Sequence, residues 1–242
     1  MNNHFRSYAR LRVLSGFFAL ILLATNFSSV RAAEQKNYLP DGKPDFMTLL
    51  VAPPLPDSAE QAAELDEVLA VYHAANSNEM AIAYSQKKFS DFTFTPTIGG
   101  FFQSNNLPLT ADFFQRVQKQ AATVTDAAKD YYKRPRPFTA DPSLANGKLE
   151  KSFGYPSGHS TEGTVLALVL AELFPEKREA IMAQGRAFGW HRVEIARHYL
   201  SDINAGRVLA QAIVQEMKSN PEFQKDLAAA RAEIAQAQAA KK

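Results

Sequence analysis

The sequence contains no cysteine among its 242 residues. Thiol nucleophiles, disulfide bonds and cysteine-ligated metal sites are therefore excluded outright. There is one tryptophan, and the 11 glycines and 13 prolines are too few for a fibrous or low-complexity chain. With 46% hydrophobic and 21% charged residues, the composition is that of an ordinary globular domain, which must be held together by packing alone.

The sequence also lacks an apolar run of the ~20 residues that a membrane-spanning helix needs. Its charge-free apolar segment Val13–Phe27 has 15 residues and follows a basic stretch that contains Arg6, Arg10 and Arg12. Basic, apolar and then small residues are the layout of a secretory signal peptide, so we predict that residues 1–32 are cleaved. A membrane anchor is the alternative. We expect a periplasmic or secreted protein without stable membrane anchoring.

The chain has little net charge, formally +2. Removing residues 1–32 takes away four arginines and no acid. Lys plus Arg then falls from 27 to 23 against 25 Asp plus Glu, which leaves about −2. A nucleic-acid-binding domain shows a broad basic face, so no nucleic-acid partner is expected.

Apolar residues recur at helical spacing through most of the chain after residue 57, and no segment is confidently a strand. We therefore predict an all-α, single-domain helical bundle over residues 58–242. Residues 33–57, with the proline cluster VAPPLPDS, are predicted to form an extended N-terminal segment. The segment from 176 to about 200 fits one long helix or two. The other predicted helices cover residues 58–72, 76–86, 110–132, 160–174, 202–219 and the region from 221 onward.

The motif KDYYKRPRPF, residues 129–138, concentrates positive charge in a chain that is otherwise nearly neutral. Lys129 lies on the last turns of a predicted helix, and Arg136 is held between two prolines. Guanidinium and ammonium groups suit phosphate oxygens, and a cation fixed in place loses less entropy on binding. A solvated basic loop is the alternative. We predict that Lys133 and Arg134 are solvated or lie at the rim of the site.

The motif GYPSGHST, residues 154–161, directly precedes an apolar helix. The free N–H groups at a helix N-terminus bind anions, which makes the backbone of Ser157 and Gly158 a candidate phosphate site. His159 is then placed to exchange a proton. The alternative is a capping serine beside an incidental histidine.

The motif HRVEIARHYLSD, residues 191–202, contains His198 and Asp202 four residues apart. On a helix these two side chains share a face, and if the helix ends near them Asp202 can still fold back to His198. A carboxylate that binds one ring nitrogen fixes the tautomer and leaves the other nitrogen nucleophilic. Arg192 is predicted to lie on roughly the same side. A surface His–Asp pair is the alternative for this motif taken alone.

The three motifs are far more specific in combination than singly. Eighteen residues separate Pro137 from Pro156, and 32 separate His159 from Arg192. The series Lys-x6-Arg-Pro, Pro-Ser-Gly-His and Arg-x5-His-x3-Asp resembles the signature of the phosphatidic acid phosphatase type 2 and vanadium haloperoxidase superfamily. The wording VAPPLPDS, YYKRPRPF, YPSGHST and SDINAGRVLAQAIV is similar to the class A bacterial non-specific acid phosphatases, over about residues 38–235.

This resemblance implies an all-α fold and a role for each motif residue. His198 would attack phosphorus and form a phosphohistidine, with Asp202 orienting it. His159 would protonate the leaving alcohol and then activate water. No metal ion or other cofactor is required. The phosphoryl oxygens would be bound by Lys129, Arg136, Arg192 and the backbone N–H groups of Ser157 and Gly158.

The resemblance implies an exported acid phosphatase that acts on small phosphomonoesters, with phosphotransferase side activity where an alcohol replaces water. Nearby cations should lower the pKa of His198 while Asp202 opposes them, so we expect an acidic to near-neutral optimum. A vanadium-dependent haloperoxidase and a non-catalytic anion-binding protein are the alternatives. A lipid phosphatase would normally need several membrane spans. The sequence allows a homo-oligomer but locates no interface.

One residue departs from the family pattern. His191 stands where the family usually has serine before the arginine of the third motif. This second imidazole either lies near the phosphate site, where it would affect the pH profile or the substrate range, or points away from it.

Overall fold

Side-chain caps and prolines determine where many of the helices begin. The computed structural model describes Met1 and residues 37–240, so the predicted signal peptide lies, apart from Met1, outside the described residues. The described residues contain no β-strand, and the predicted all-α fold is confirmed. The α-helices are α1 (Phe46–Leu49), α2 (Ala59–Ala74), α3 (Ser77–Ser85), α4 (Thr95–Ile98), α5 (Pro108–Tyr132), α6 (Pro137–Ala140), α7 (Gly158–Leu173), α8 (Arg178–Glu194), α9 (Leu200–Lys218) and α10 (Pro221–Ala239).

The first turn of α2 contains Gln61, which takes part in the N-cap and also contacts the basic motif. The Ser58 hydroxyl accepts a hydrogen bond from the Gln61 N–H at 3.1 Å, as the sequence predicts for an N-cap. The Gln61 side chain does not return to the cap, however. Its Oε1 accepts from Arg134 Nη2 at 2.8 Å, which links the first turn of α2 to the basic motif.

The main difference from the predicted helices lies between residues 176 and 200. A short 3-10 turn precedes α8, and α8 ends at Glu194, four residues before His198. Ala196 has a left-handed backbone with φ of 51°, which a continuous helix does not permit. The chain then enters α9 at Leu200. His198 therefore lies on the connection between two helices.

Helix α7 lies at the centre of the bundle. It packs against α5, α8 and α9, and apolar residues around most of its circumference are buried. A helix that is hydrophobic on nearly all sides belongs in a core. Its N-terminus, which carries the Pro-Ser-Gly-His motif, is thereby held between the neighbouring helices.

Residues 37–57 pack on this bundle as part of the same compact unit. Tyr38 is fully buried and contacts the rings of Phe113 and Phe223. Its hydroxyl donates to Asp226 at 2.7 Å. The segment that the sequence separates from the helical domain thus contributes to the domain's core.

Two glycines allow α7 and α8 to approach closely. A Cβ on Gly185 would lie 2.5 Å from the Ala167 Cβ and 2.7 Å from the Gly163 carbonyl oxygen. We expect Gly185→Ala to lower the free energy of unfolding by about 1–3 kcal/mol, because the helices must move apart. Thermal unfolding measures the change. Gly100→Ala is the control, since a Cβ there meets nothing within 4 Å. Equal stability of both variants would contradict the tight helix contact.

Candidate active site

The fold brings the three sequence motifs to one place. Lys129 Nζ donates to the Pro156 carbonyl at 2.7 Å, and the Ser157 N–H donates to the Asp202 carbonyl at 3.0 Å. Arg136 Nη1 lies 3.0 Å from His198 Nε2. Burial and four positive or imidazole groups from these motifs hold the pKa of His198 well below its usual range. The four are Arg136, Lys129, His159 and Arg192, in decreasing order of effect. Each comes from a different element: Lys129 from the end of α5, Arg136 from the segment before α6, His159 from the first turn of α7 and Arg192 from the last turn of α8.

Two contacts assign the tautomer of His198. Its Nδ1 lies 3.1 Å from Asp202 Oδ2, and its Nε2 lies 3.0 Å from Arg136 Nη1. A guanidinium can only donate and a carboxylate can only accept, so Nδ1 carries the proton and Nε2 presents a lone pair. His198 is only 2% exposed. The site therefore holds a neutral imidazole whose unprotonated nitrogen faces a cation.

The structure shows the His198–Asp202 contact, and it forms by the second of the two routes that the sequence left open, without a shared helix face. His198 precedes α9, whereas Asp202 is in the first turn of that helix. Asp202 Oδ2 also accepts from the backbone N–H of Tyr199 at 3.1 Å. The carboxylate thus caps α9 and binds the imidazole with the same oxygen, because the chain turns between the two residues.

Arg136 is held rigidly. Its Nε donates to the Ser152 carbonyl at 2.8 Å, and its Nη2 donates to the Ser152 hydroxyl at 3.1 Å and the Phe153 carbonyl at 3.2 Å. Its Nη1 also donates to the Arg197 carbonyl at 2.9 Å. These contacts and the flanking prolines fix the guanidinium plane beside His198.

Lys129 is buried next to the loop that leads into α7. Its Nζ donates to the carbonyl oxygens of Pro156 at 2.7 Å and Phe153 at 2.9 Å. Burial, and then the charge of Arg136, lowers the pKa of Lys129 to about 8. The ammonium is therefore still protonated in acidic and neutral solution, when it can neutralise an anion.

Arg192 is 2% exposed at the end of α8 and donates from Nη2 to the Ala83 carbonyl. Its Nε has no hydrogen-bond partner among the described residues. Burial lowers the pKa of Arg192 to about 10, so the side chain keeps its charge. An unused buried donor on a cation is the property expected of a residue that binds an anion.

His159 lies in the first turn of α7, with its Nε2 3.1 Å from the Gln86 carbonyl oxygen. A carbonyl only accepts, so Nε2 carries a proton and Nδ1 is the unprotonated nitrogen of the neutral ring. Burial, and then Arg192, lowers the pKa of His159 to about 3. The resting imidazole is therefore neutral.

The structure reduces the set of backbone N–H groups that are available to bind an anion. The N–H of Ser157 donates to the carbonyl oxygen of Asp202 at 3.0 Å, so this group is already paired and the prediction that it is free for phosphate is wrong. The N–H groups of Gly158 and His159 belong to the first turn of α7, where no intrahelical acceptor exists. A contribution from Ser157 would come from its hydroxyl.

His191 reaches towards the candidate site. Its Nδ1 lies 2.5 Å from Gln86 Oε1, and the carbonyl of that same Gln86 contacts His159. The histidine that replaces the family serine is thus connected to His159 through one residue at the end of α3. The sequence left both orientations of His191 open.

The prediction that Arg134 is solvated or at the rim is wrong. Lys133 is exposed, but Arg134 is only 3% exposed and lies 2.7 Å from Asp202 Oδ1. The short stretch from Lys133 to Arg136 alternates between exposed and buried residues. Side chains two residues apart on an extended backbone point to the same side. The pattern Arg-Pro-Arg-Pro therefore contained a signal that Arg134 faces inward with Arg136.

The described residues contain no group of three or more His, Asp and Glu side chains that could hold a metal ion. The positive charges near His198 are supplied by arginine and lysine.

Residues 120–223 match the PAP2 superfamily, and they include all three motifs. This part of the chain is thus similar to the PAP2 superfamily, the resemblance that the motifs predicted. A solved structure with 19% identity shares the fold. It is titled a crystal structure of the first transmembrane PAP2 type phosphatidylglycerolphosphate phosphatase from Bacillus subtilis. It aligns with a TM-score of 0.53 over 72% of this chain and 91% of that one. Within the part of the present chain that the structure describes, no helix has the length and apolarity of a membrane span.

Curated relatives narrow the resemblance to acid phosphatases. A non-specific acid phosphatase of Salmonella typhimurium is 36% identical over 148 residues, which are 58% of this chain and 59% of that protein. A non-specific acid phosphatase of Providencia stuartii is 40% identical over 116 residues, 46% and 47% of the two chains. An acid phosphatase of Zymomonas mobilis is 33% identical over 136 residues, 54% and 52%. The chain thus spans about half to three fifths of the length of these relatives.

Proposed function

We propose that this protein is an exported acid phosphatase that hydrolyses small phosphomonoesters through a phosphohistidine on His198. The observation that carries the proposal is the unprotonated Nε2 of a buried, neutral histidine that faces Arg136, with further cations close by. The likeness to curated acid phosphatases supports the reaction class. Export rests on the signal-like residues 1–32.

In the first step, the lone pair of His198 Nε2 attacks phosphorus, and the bond from phosphorus to the leaving oxygen breaks. The ionised Asp202 accepts a hydrogen bond from Nδ1–H throughout, and so stabilises the positive charge that develops on the ring. Lys129, Arg136 and Arg192 bind the phosphoryl oxygens. Phosphoryl transfer depends mostly on such positioning and charge stabilisation, which these side chains supply without a metal ion.

His159 transfers the proton. A bound phosphoryl group offsets the positive charge of Arg192, so it raises the low pKa of His159 and lets the ring carry a proton to the leaving oxygen. The neutral ring that results then takes a proton from water, which attacks phosphorus and releases His198. An alcohol in place of water would give the phosphotransferase side reaction. This coupling of protonation to substrate charge favours an acidic to near-neutral optimum.

Phosphate release from an aryl phosphomonoester tests the proposal. The protein lacking residues 1–32 is assayed from pH 4 to 8 with a chelator present. We expect turnover that resists the chelator and declines above neutral pH. A protein that binds phosphate without releasing product, or a rate that is still rising at pH 8, would contradict the proposal. Vanadate-dependent bromide oxidation would then identify the haloperoxidase alternative.

A further inference from the structure

Arg134 is buried near the candidate site, although the family signature does not include it. Its side chain is 2% exposed and lies between Asp202 Oδ1, at 2.7 Å, and Glu64 Oε2, at 2.5 Å. Its Nη1 also donates to the Ser201 hydroxyl at 2.6 Å, and its Nε and Nη2 donate to Gln61 Oε1. Two carboxylates therefore offset the charge of Arg134, so it is less suited to binding an anionic substrate than Arg136, whose guanidinium contacts carbonyl oxygens, a hydroxyl and an imidazole.

The guanidinium is also fixed from one side by an aromatic ring. Its central carbon lies 4.1 Å from the ring centroid of Tyr199, a distance that gives a favourable cation–π contact. Tyr199 is the N-cap residue of α9 and directly follows His198. Arg134 thus packs against the backbone turn that places the histidine.

Helix α2 supplies the other half of this network. Gln61 and Glu64 are three residues apart, on one face of that helix. Glu64 Oε2 accepts from Arg134 and, at 2.8 Å, from the Ser201 hydroxyl. Glu64 therefore ties Arg134 to the first turn of α9, where Asp202 lies. The result is a chain of alternating charge that runs from Glu64 through Arg134 and Asp202 to His198.

The charge of Asp202 depends on this chain. The Asp202 side chain is fully buried, and burial raises its pKa. Arg134 is the strongest influence in the opposite direction, ahead of the Tyr199 N–H and Lys129. An uncompensated buried carboxylate takes up a proton. Arg134 is therefore the main group that keeps Asp202 ionised.

Loss of that ionisation would change the tautomer of His198. An ionised Asp202 accepts the Nδ1 proton and leaves the Nε2 lone pair free. A protonated Asp202 would instead donate to Nδ1, so the neutral ring would carry its proton on Nε2, the atom that must attack phosphorus. We propose that Arg134, held by Glu64, is a positioning residue that maintains the nucleophilic tautomer of His198 through Asp202. This inference rests on the proposed function of His198.

The pH profile of Arg134→Met tests the inference. Removing the cation raises the pKa of Asp202, so Asp202 becomes protonated at a higher pH as the solution is acidified. We expect the acid limb of the kcat profile to move up by about one to three pH units, with KM little changed because the phosphate-binding cations remain. Arg134→Lys keeps the charge and should restore much of the limb. Arg116→Gln is the control, since it removes a cation that pairs with Asp226 and not with Asp202.

A second readout separates this inference from the proposed function. Nitrogen-15 NMR of the His198 ring reports which nitrogen is protonated, whether or not the protein turns over substrate. At mildly acidic pH we expect Nδ1–H in the parent protein and a shift towards Nε2–H in Arg134→Met. If the parent protein is inactive but the tautomer still differs between it and Arg134→Met, the proposed function is wrong and the role of Arg134 is supported. An active Arg134→Met variant with an unmoved acid limb and unchanged tautomer would overturn the inference.

Glu64→Gln provides a test that does not depend on the folding of Arg134→Met. The amide can still accept a hydrogen bond from Arg134 but no longer offsets its charge. The positive charge of Arg134 then lowers the pKa of Asp202 further. The acid limb of the kcat profile should therefore move to lower pH by a fraction of a unit. A limb that stays in place or moves upward would contradict the charge chain.

Discussion

Replacing His198 with glutamine is expected to lower kcat for phosphomonoesters by about 10⁴-fold or more, the scale seen when a covalent nucleophile is lost. Glutamine offers one acceptor and donor N–H groups. It can therefore bind both Arg136 and Asp202, the two partners of the histidine ring. The variant should fold and bind phosphate while lacking a nitrogen that can form a bond to phosphorus.

Trapping of the covalent intermediate measures this directly. Phosphohistidine survives in alkali, so an alkaline quench during turnover should leave one phosphoryl group on the parent protein, at His198, and none on His198→Gln. His73→Gln is the matched control, because His73 is an exposed histidine at the end of α2. Full turnover by His198→Gln, or a phosphoryl group found elsewhere on the chain, would rule out the proposed nucleophile.

The second large effect is expected for His159→Gln. General acid–base catalysis typically contributes about 10²- to 10⁴-fold, and the loss should depend on the leaving group. An alkoxide needs a proton as it departs, so alkyl phosphates should lose the most. A phenolate of low pKa leaves without help, so phosphorylation by an activated aryl phosphate should be nearly retained while the second step slows.

Rates for a series of leaving groups of increasing pKa check this expectation. The dependence on leaving-group pKa should be steep for His159→Gln and shallow for the parent protein, and the variant should show a burst of phenol release with activated substrates. A uniform loss across the series, with no burst, would mean that His159 acts only on binding or structure. His73→Gln again provides the control.

Much of the fold was predictable because its signals are local. The Ser58 cap and the apolar spacing of α5, α7 and α9 each depend on residues within a few turns of one another, and the predicted helices are present with their ends moved by a few residues. The end of α8 was not predictable in this way. It depends on the left-handed backbone of Ala196, and alanine is not a residue type that indicates such a conformation.

The sequence predicted which residues form the candidate site better than it predicted the contacts between them. The motifs identified Lys129, His159 and His198, whose grouping depends on helices far apart in the chain. Arg134 was misjudged because a charge in a polar stretch is usually solvated. Its burial requires two carboxylates, one from α2 and one from α9. Likewise, the pairing of the Ser157 N–H with the Asp202 carbonyl cannot be read from either motif alone.

The sequence by itself determined the all-α class, the absence of thiol chemistry and the residue types available for binding an anion, since these follow from composition and short-range spacing. Only the tertiary structure decided which of those charges face one another. It buries Asp202 against Arg134 and orients Arg136 towards His198 Nε2. The physical reason is that ionisation and tautomer depend on desolvation and on distances of a few ångströms between elements, which the order of residues along the chain does not specify.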